Sequence, residues 1–383
     1  MRARRRIWLS AGAVLQLCCA GSLAAETSAA ASLATDMTSL LEPIREKHKL
    51  PALAAAVVID GEVAAQGVVG VRKLDSPEIA TISDKFHLGS CTKAMTATLL
   101  GTLIDEGKLR WDSTLGDVFP EHRGEINEAY TSVTVEQLLN HRGGFPGETA
   151  PPGKSLRDIH ALPGTECEQR MAYIRMMWKA RPEAPPGTRY IYSNAGYTVA
   201  GAIAEKVAGT PYAELVETRV FRPLGINSAG FGAMGTVGKV DQPWPHIHQF
   251  GMRVPVEPGP RSDNPAAITP AGRVHCSIGD WAKFAAAHAC GETMGGLLKP
   301  ETYKRLHTPA QDQDYVGGWA VVNRPWGGGR VLTHAGSNTM NYAVVWVAPA
   351  RRFAVVIATN IDDAHAACDT VAGACIKKYL PPR

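Results

Sequence analysis

What this 383-residue sequence lacks narrows it before anything it contains. It has no real excess of charge: the four arginines among residues 1–24 make up the whole formal surplus, and without them 36 basic residues stand against 36 acidic ones. A neutral chain has no field with which to gather a polyanion, so the electrostatic case for a nucleic-acid partner is gone. No glycine-rich phosphate loop of the G-x-x-x-x-G-K-[ST] type occurs, which removes the commonest backbone cradle for a nucleotide. No internal repeat or low-complexity segment stands out, excluding repeat arrays and fibres. The apolar run from Ile7 to about Leu23 falls short of the ~20 residues that a membrane span needs.

That run follows Arg2, Arg4, Arg5 and Arg6 and ends near the small residues Ser22 and Ala24, so residues 1–24 read as a cleaved signal peptide. Arg5-Arg6-Ile7-Trp8-Leu9 also resembles a twin-arginine signal. The chain is therefore expected in the periplasm or outside the cell, by the Sec or the twin-arginine route, with no stable membrane insertion after cleavage. Cys18 and Cys19 leave with the signal and six cysteines remain. Cys368 and Cys375 on one predicted helix would lie ~10.5 Å apart, beyond the ~7 Å limit for a disulfide. Cys276 and Cys290 flank a predicted helix of about 12 residues and would be farther apart still. Mostly buried thiols are expected, with Cys167 unplaced. His246-Ile247-His248 is the one close histidine pair, in a proline-rich stretch without a carboxylate or cysteine at ligand spacing. It reads as a surface loop, and no metal or cofactor is expected.

Hydrophobic periodicity supplies the frame. Residues 53–59 and 63–71 read as strands joined by Asp60-Gly61, a two-residue turn that needs positive φ. Helical spacing runs from Ser90 to about Glu106. Roughly 117–265 reads as capped helices between Pro/Gly loops, with capping boxes opening at Thr134 and Thr165, the latter starting a helix to about Lys179. Two more helices are predicted at 194–207 and 211–220, the second with Pro211 in its first turn, and 232–265 reads as a polar loop. Ser277 caps a helix to about His288. Residues 330–334, 341–348 and 353–359 read as strands, before a last helix that stripes Cys368, Val371, Ala372, Cys375, Ile376 and Tyr379. Sheet elements at both ends with helices between predict an α+β body, residues 33–116 and 266–383, split by a mostly helical insertion at 117–265.

The chemistry gathers at FHLGSCTKAMTATLL, residues 86–100, where Ser90 and Cys91 stand side by side upstream of Lys93. Residues three apart on a helix lie ~60° from one another around the axis, and residues two apart ~160°. Lys93 therefore shares a face with Ser90, while Cys91 aligns with Met95 and Leu99 in a core stripe. A desolvated lysine amine can take the serine proton. Alone, S-x-x-K is expected about once or twice by chance in a chain this long, and it could be a helix cap followed by a solvated lysine. Tyr192-Ser193-Asn194 at a loop-to-helix junction can point a phenol and an amide into one cleft, or be a core aromatic and a cap. His334-Ala335-Gly336-Ser337 is a third motif. H-x-G also occurs at His87, His122 and His141, but only His334 stands on a predicted strand followed directly by another strand.

In this order and these contexts, S-x-x-K, Y-x-N and H-x-G resemble the serine β-lactamase and penicillin-recognising family, particularly its class C-like branch of esterases and D-peptidases. The resemblance covers about residues 35–379, including TVEQLLNHRGGFPG. It implies a β-lactamase/transpeptidase-like fold, an antiparallel sheet flanked by helices, with the active site in the cleft beside the insertion. It implies Ser90 as the acylated nucleophile, Lys93 as its base, Tyr192 as a second proton carrier and Asn194 as a contact to the substrate amide. His334, Gly336 and Ser337 would line the substrate, and the backbone N–H groups of Ser90 and Ser337 would form the oxyanion hole. Where β-lactamases carry K-T-G, this chain has His334 and Ala335, which moves the expectation away from β-lactams. The implied activity is that of a secreted serine hydrolase acting through an acyl-enzyme on small esters or D-amino-acid peptides. β-Lactam hydrolysis, or a non-catalytic module binding cell-wall fragments, is the alternative.

Overall fold

Asp60 and Gly61 both take positive φ, 53° and 92°, and turn strand Ala52–Ile59 back along strand Glu62–Gly70. The computed structural model describes residues 34–380, so the signal peptide expected at 1–24 lies outside the described residues. The hairpin belongs to an eight-stranded sheet, ordered Thr35–Asp36, Glu62–Gly70, Ala52–Ile59, Phe353–Thr359, Tyr342–Ala348, Gly329–Ser337, Trp319–Arg324 and Tyr315–Val316. Neighbours pair antiparallel except the edge pair Thr35–Asp36 with Glu62–Gly70, which is parallel.

The central strands are almost continuously apolar because helices cover both faces. Ala354, Val356 and Ala358 point to one core, with helices Thr92–Asp105, Asn194–Ala208 and Ile278–Met294. Phe353, Val355 and Ile357 point to the other, under helices Thr38–Lys47 and His365–Tyr379. The terminal helix buries the expected Cys368, Val371, Ala372 and Cys375. Among the described residues the six cysteines are free thiols, five of them buried. Cys167, half-buried, donates to Glu205 Oε1 at 3.0 Å. Among the described residues no helix is long and apolar enough to cross a membrane.

Several local readings change. The 232–265 stretch is not all loop: His246–Gln249 and Met252–Pro255 form a hairpin. His246 is fully buried, its Nδ1 3.0 Å from Asn360 O and its Nε2 accepting from Leu74 N–H at 3.2 Å, and His248, though exposed, stands on the same strand, so the surface-loop reading fails for both. Ser277 does cap its helix, accepting from Asp280 N–H, but the helix runs to Met294 and Cys290 lies inside it. Pro211 is an N-cap, and the helix Tyr212–Val216 passes into a wider π turn at Glu217–Phe221. Helix Pro300–His307 and strands Tyr315–Val316 and Trp319–Arg324 were absent from the sequence reading; each is short, with proline or glycine at its edge.

Candidate active site

Gly89–Cys91 forms a 3₁₀ turn that feeds directly into helix Thr92–Asp105. Thr92 Oγ1 donates to Gly89 O at 2.7 Å and tightens the entry. Ser90 is half-buried at the mouth of the turn and Lys93 is fully buried one turn on. Lys93 Nζ lies 3.0 Å from Ser90 Oγ, 2.8 Å from Asn194 Oδ1 and 2.7 Å from Ala271 O. The last two atoms can only accept, whereas a hydroxyl can donate. An ammonium can donate to all three, and a neutral amine can donate to Asn194 and Ala271 while receiving the Ser90 proton on its lone pair. Burial favours the neutral form, lowering the Lys93 pKa to about 7. Cys91 points the other way into the core with Met95 and Leu99, and burial pushes its thiol well above the usual range.

Tyr192 and Asn194 flank Ser193, which makes three hydrogen bonds. Ser193 caps helix Asn194–Ala208, accepting from Gly196 N–H at 3.2 Å while its hydroxyl donates to Pro146 O at 2.7 Å. Asn194 is thus the first helical residue and not the cap. Its Nδ2 donates to Thr149 Oγ1 at 2.8 Å, which turns Oδ1 towards the lysine. The Tyr192 ring centroid lies 4.7 Å from Lys93 Nζ. Burial raises the Tyr192 pKa well above its ordinary value, so at rest the phenol keeps its proton.

The third motif approaches along strand Gly329–Ser337, registered against Tyr342–Ala348 with Ser337 opposite Tyr342. A Cβ on Gly336 would run into Leu88 O and come within 2.7 Å of Ser90 N, and one on Gly89, at φ 49°, would strike Gly336 and Ser337. Two bare glycines therefore bring the backbones of Ser90 and Ser337 together. Gly336→Ala is expected to force strand and turn apart, costing ~1–3 kcal/mol or more and lowering the melting temperature measured by calorimetry. An unchanged melting temperature would mean that the contact can relax freely.

His334 is buried at the site, but its ring nitrogens face the protein. Nδ1 lies 2.6 Å from Ala335 O, which can only accept, so that nitrogen carries the proton and Nε2 accepts from Tyr315 OH at 3.0 Å. Desolvation, with the Lys93 charge second, lowers its pKa to about 3, so the ring is neutral at every ordinary pH.

Tyr315 and His141 were not singled out from sequence. His141 Nδ1 accepts from Ser193 N–H at 3.0 Å, and its ring stands 4.3 Å from Tyr192 and 4.7 Å from Tyr315. It holds a positive φ of 56°, uncommon for a non-glycine residue. The one available signal was its own H-x-G, which does not stand on a strand. Among the described residues no group of three or more His, Cys, Asp or Glu side chains is placed to hold a metal.

A sheet covered by helices, with a serine beside a buried lysine packed against one of its inner strands, defines a serine hydrolase. The chain belongs to the Beta-lactamase family, whose model matches residues 37–372. Penicillin-binding protein 4 of Amycolatopsis lactamdurans is 26% identical over 333 residues, 83% of either chain. An unguisins hydrolase of Aspergillus campestris is 24% identical over 85% of this chain, which spans 61% of that longer protein. The octameric penicillin-binding protein homologue of Pyrococcus abyssi superposes with a TM-score of 0.71 at 24% identity, over 90% of this chain and 78% of its own.

Proposed function

We propose that this protein hydrolyses short acyl esters, or amides and peptides of D-amino acids, through an acyl group carried on Ser90. The observation that carries the reading is the Lys93 amine, buried, lowered to about pKa 7 and 3.0 Å from the serine oxygen. Ser90 Oγ adds to the acyl carbon as its proton passes to Lys93 Nζ. The oxyanion formed takes hydrogen bonds from the backbone N–H groups of Ser90 and Ser337. Tyr192, protonated at rest, gives its proton to the leaving oxygen or nitrogen and recovers one from the Lys93 ammonium. Water then attacks the acyl-serine, losing its proton along the same path, and Ser90 leaves with it. Asn194 would contact the substrate amide once Lys93 releases it.

Substrate preference rests on the third motif. A carboxylate beside the acyl group calls for a fixed cation or hydroxyl donors. Here His334 is neutral, with both ring nitrogens engaged, and a methyl group stands at Ala335. Uncharged acyl groups lose nothing by this, whereas β-lactams lose an anchor. Short-chain nitrophenyl esters are therefore expected to show the higher kcat/KM, and a chromogenic cephalosporin the lower, with slow release of any penicilloyl adduct. A cephalosporin kcat/KM tenfold or more above the ester value would make β-lactams the substrate.

In the same reading residues 1–24 export the chain to the periplasm or beyond. Substrate would enter between the body, residues 33–116 and 266–383, and the insertion at 117–265.

A further inference from the structure

Asp263 lies just before the segment that wraps behind Ser90, and its carboxylate side chain is almost completely buried. Asn338 Nδ2 and the Asn264 N–H donate to it, and His87 and Arg273 stand at ion-pair distance. His87 Nε2 is 2.8 Å from Oδ1, Asn338 Nδ2 3.1 Å and the Asn264 N–H 2.7 Å, and Arg273 Nε is 3.5 Å from Oδ2. The far ends of two of these groups reach the two sides of the site. His87 Nδ1 accepts from Gly89 N–H at 3.1 Å, and on the other side of the ring Nε2 stands 2.8 Å from Asp263 Oδ1 in an ion-pair contact that is not aligned as a hydrogen bond. Asn338 follows Ser337, and its Oδ1 accepts from the N–H groups of Met340 and Asn341 at 3.3 and 3.0 Å, closing the turn beyond the strand.

We propose that Asp263 is a positioning residue for acyl transfer, holding in one geometry the two backbone segments, Gly89–Ser90 and Ser337–Asn338, whose N–H groups would face the acyl oxygen. The proposal rests on the reading of Ser90 and Ser337 given above. Burial opposes a charge at Asp263, yet His87 and then Arg273 hold the carboxyl below its ordinary value, so it stays ionised between both arms. If Asp263 is lost, His87 loses its ion-pair contact and the Asn338 amide the oxygen it donates to, and the two segments can drift independently. A misplacement of ~1 Å at such a site costs on the order of 10²-fold in rate.

The test is Asp263→Ala, with kcat expressed per active site after counting reactive serines by intact mass following complete fluorophosphonate labelling. Expected is a fall of about 10- to 100-fold in kcat on a nitrophenyl ester, with KM within about threefold. Asp263→Asn should restore most of it, because the amide oxygen can still receive Asn338 and face His87. A purely structural residue would lower the count of reactive sites and leave kcat per site unchanged, which would overturn the proposal. Failure of Asp263→Asn to restore the rate would overturn it too, by showing that charge is what matters. Should Asp263→Ala not fold, Asn338→Ala cuts one arm alone: a comparable fall in kcat per site supports the proposal, and wild-type kcat sinks it. Ser90→Ala separates the two readings, since a Ser90→Ala protein that still turns over ester discards the site itself, whereas an unchanged Asp263→Ala discards only the positioning role.

Discussion

Ser90→Ala is expected to abolish covalent labelling by a fluorophosphonate and to lower ester turnover on the order of 10⁴- to 10⁶-fold, the loss typical of a removed covalent nucleophile. The adjacent thiol offers no substitute. Cys91 is 2% exposed, its pKa is raised by burial, and its Sγ lies 3.4 Å from His334 O inside the core. Cys91→Ala should therefore cost only about 1 kcal/mol or somewhat more from the small cavity it leaves, with labelling unchanged. Intact-protein mass spectrometry of both variants decides the assignment: a fluorophosphonate adduct forming at the normal rate on the Ser90→Ala protein removes Ser90 as the nucleophile.

Lys93→Met is expected to lower acylation about 10²- to 10⁴-fold, the range for loss of a general base. With Lys93 as the base, only the neutral amine can take the serine proton, so kcat/KM should rise with pH through about 7 and level off above it. A profile flat from pH 5 to 9 would exclude Lys93 as the base. Stability should carry a matching trace. Below about pH 7 the folded protein buries a charged lysine at full cost. Above it the folded amine is neutral while the unfolded one stays charged, until the ordinary lysine value of ~10.4 is passed. The unfolded chain thus binds more protons through that window, and folding becomes more favourable as pH rises. Asn194 and Ala271 lose the same donor in Lys93→Met at every pH, so the wild-type melting temperature should gain on the variant's between pH 7 and 10. A constant gap would mean that the lysine titrates normally.

The sequence alone was enough to pair Ser90 with Lys93 and to set Cys91 apart from them. Both relations are local, set within the single turn where the 3₁₀ segment Gly89–Cys91 runs into helix Thr92–Asp105, and they agree with the 3.0 Å contact and the buried thiol. The same holds for the Asp60-Gly61 turn, the capping boxes at Thr134 and Thr165, and the stripe of the last helix. Each depends on neighbours within about one or two helical turns. The readings that changed depend on more distant partners. The hairpin holding His246 is tied to Asn360 and Leu74, and the edge strand Tyr315–Val316 is too short to show a period and is paired only by Trp319–Arg324.

The sequence by itself therefore determined the α+β order, the family resemblance and the three motifs, because hydrophobic period and residue spacing are written along the chain. The tertiary structure alone decided which groups those motifs face. Burial, which lowers Lys93 to about pKa 7 and leaves His334 neutral, is summed over atoms far apart in sequence. So is the approach of Gly336 to Ser90, where a single β-carbon would collide with a backbone more than two hundred residues away. His141, Tyr315 and Asp263 stayed hidden for the same reason: their spacing carries no pattern, and they acquire partners at Ser193, His334, His87 and Asn338 only when the folded chain brings those residues within hydrogen-bond or ion-pair reach.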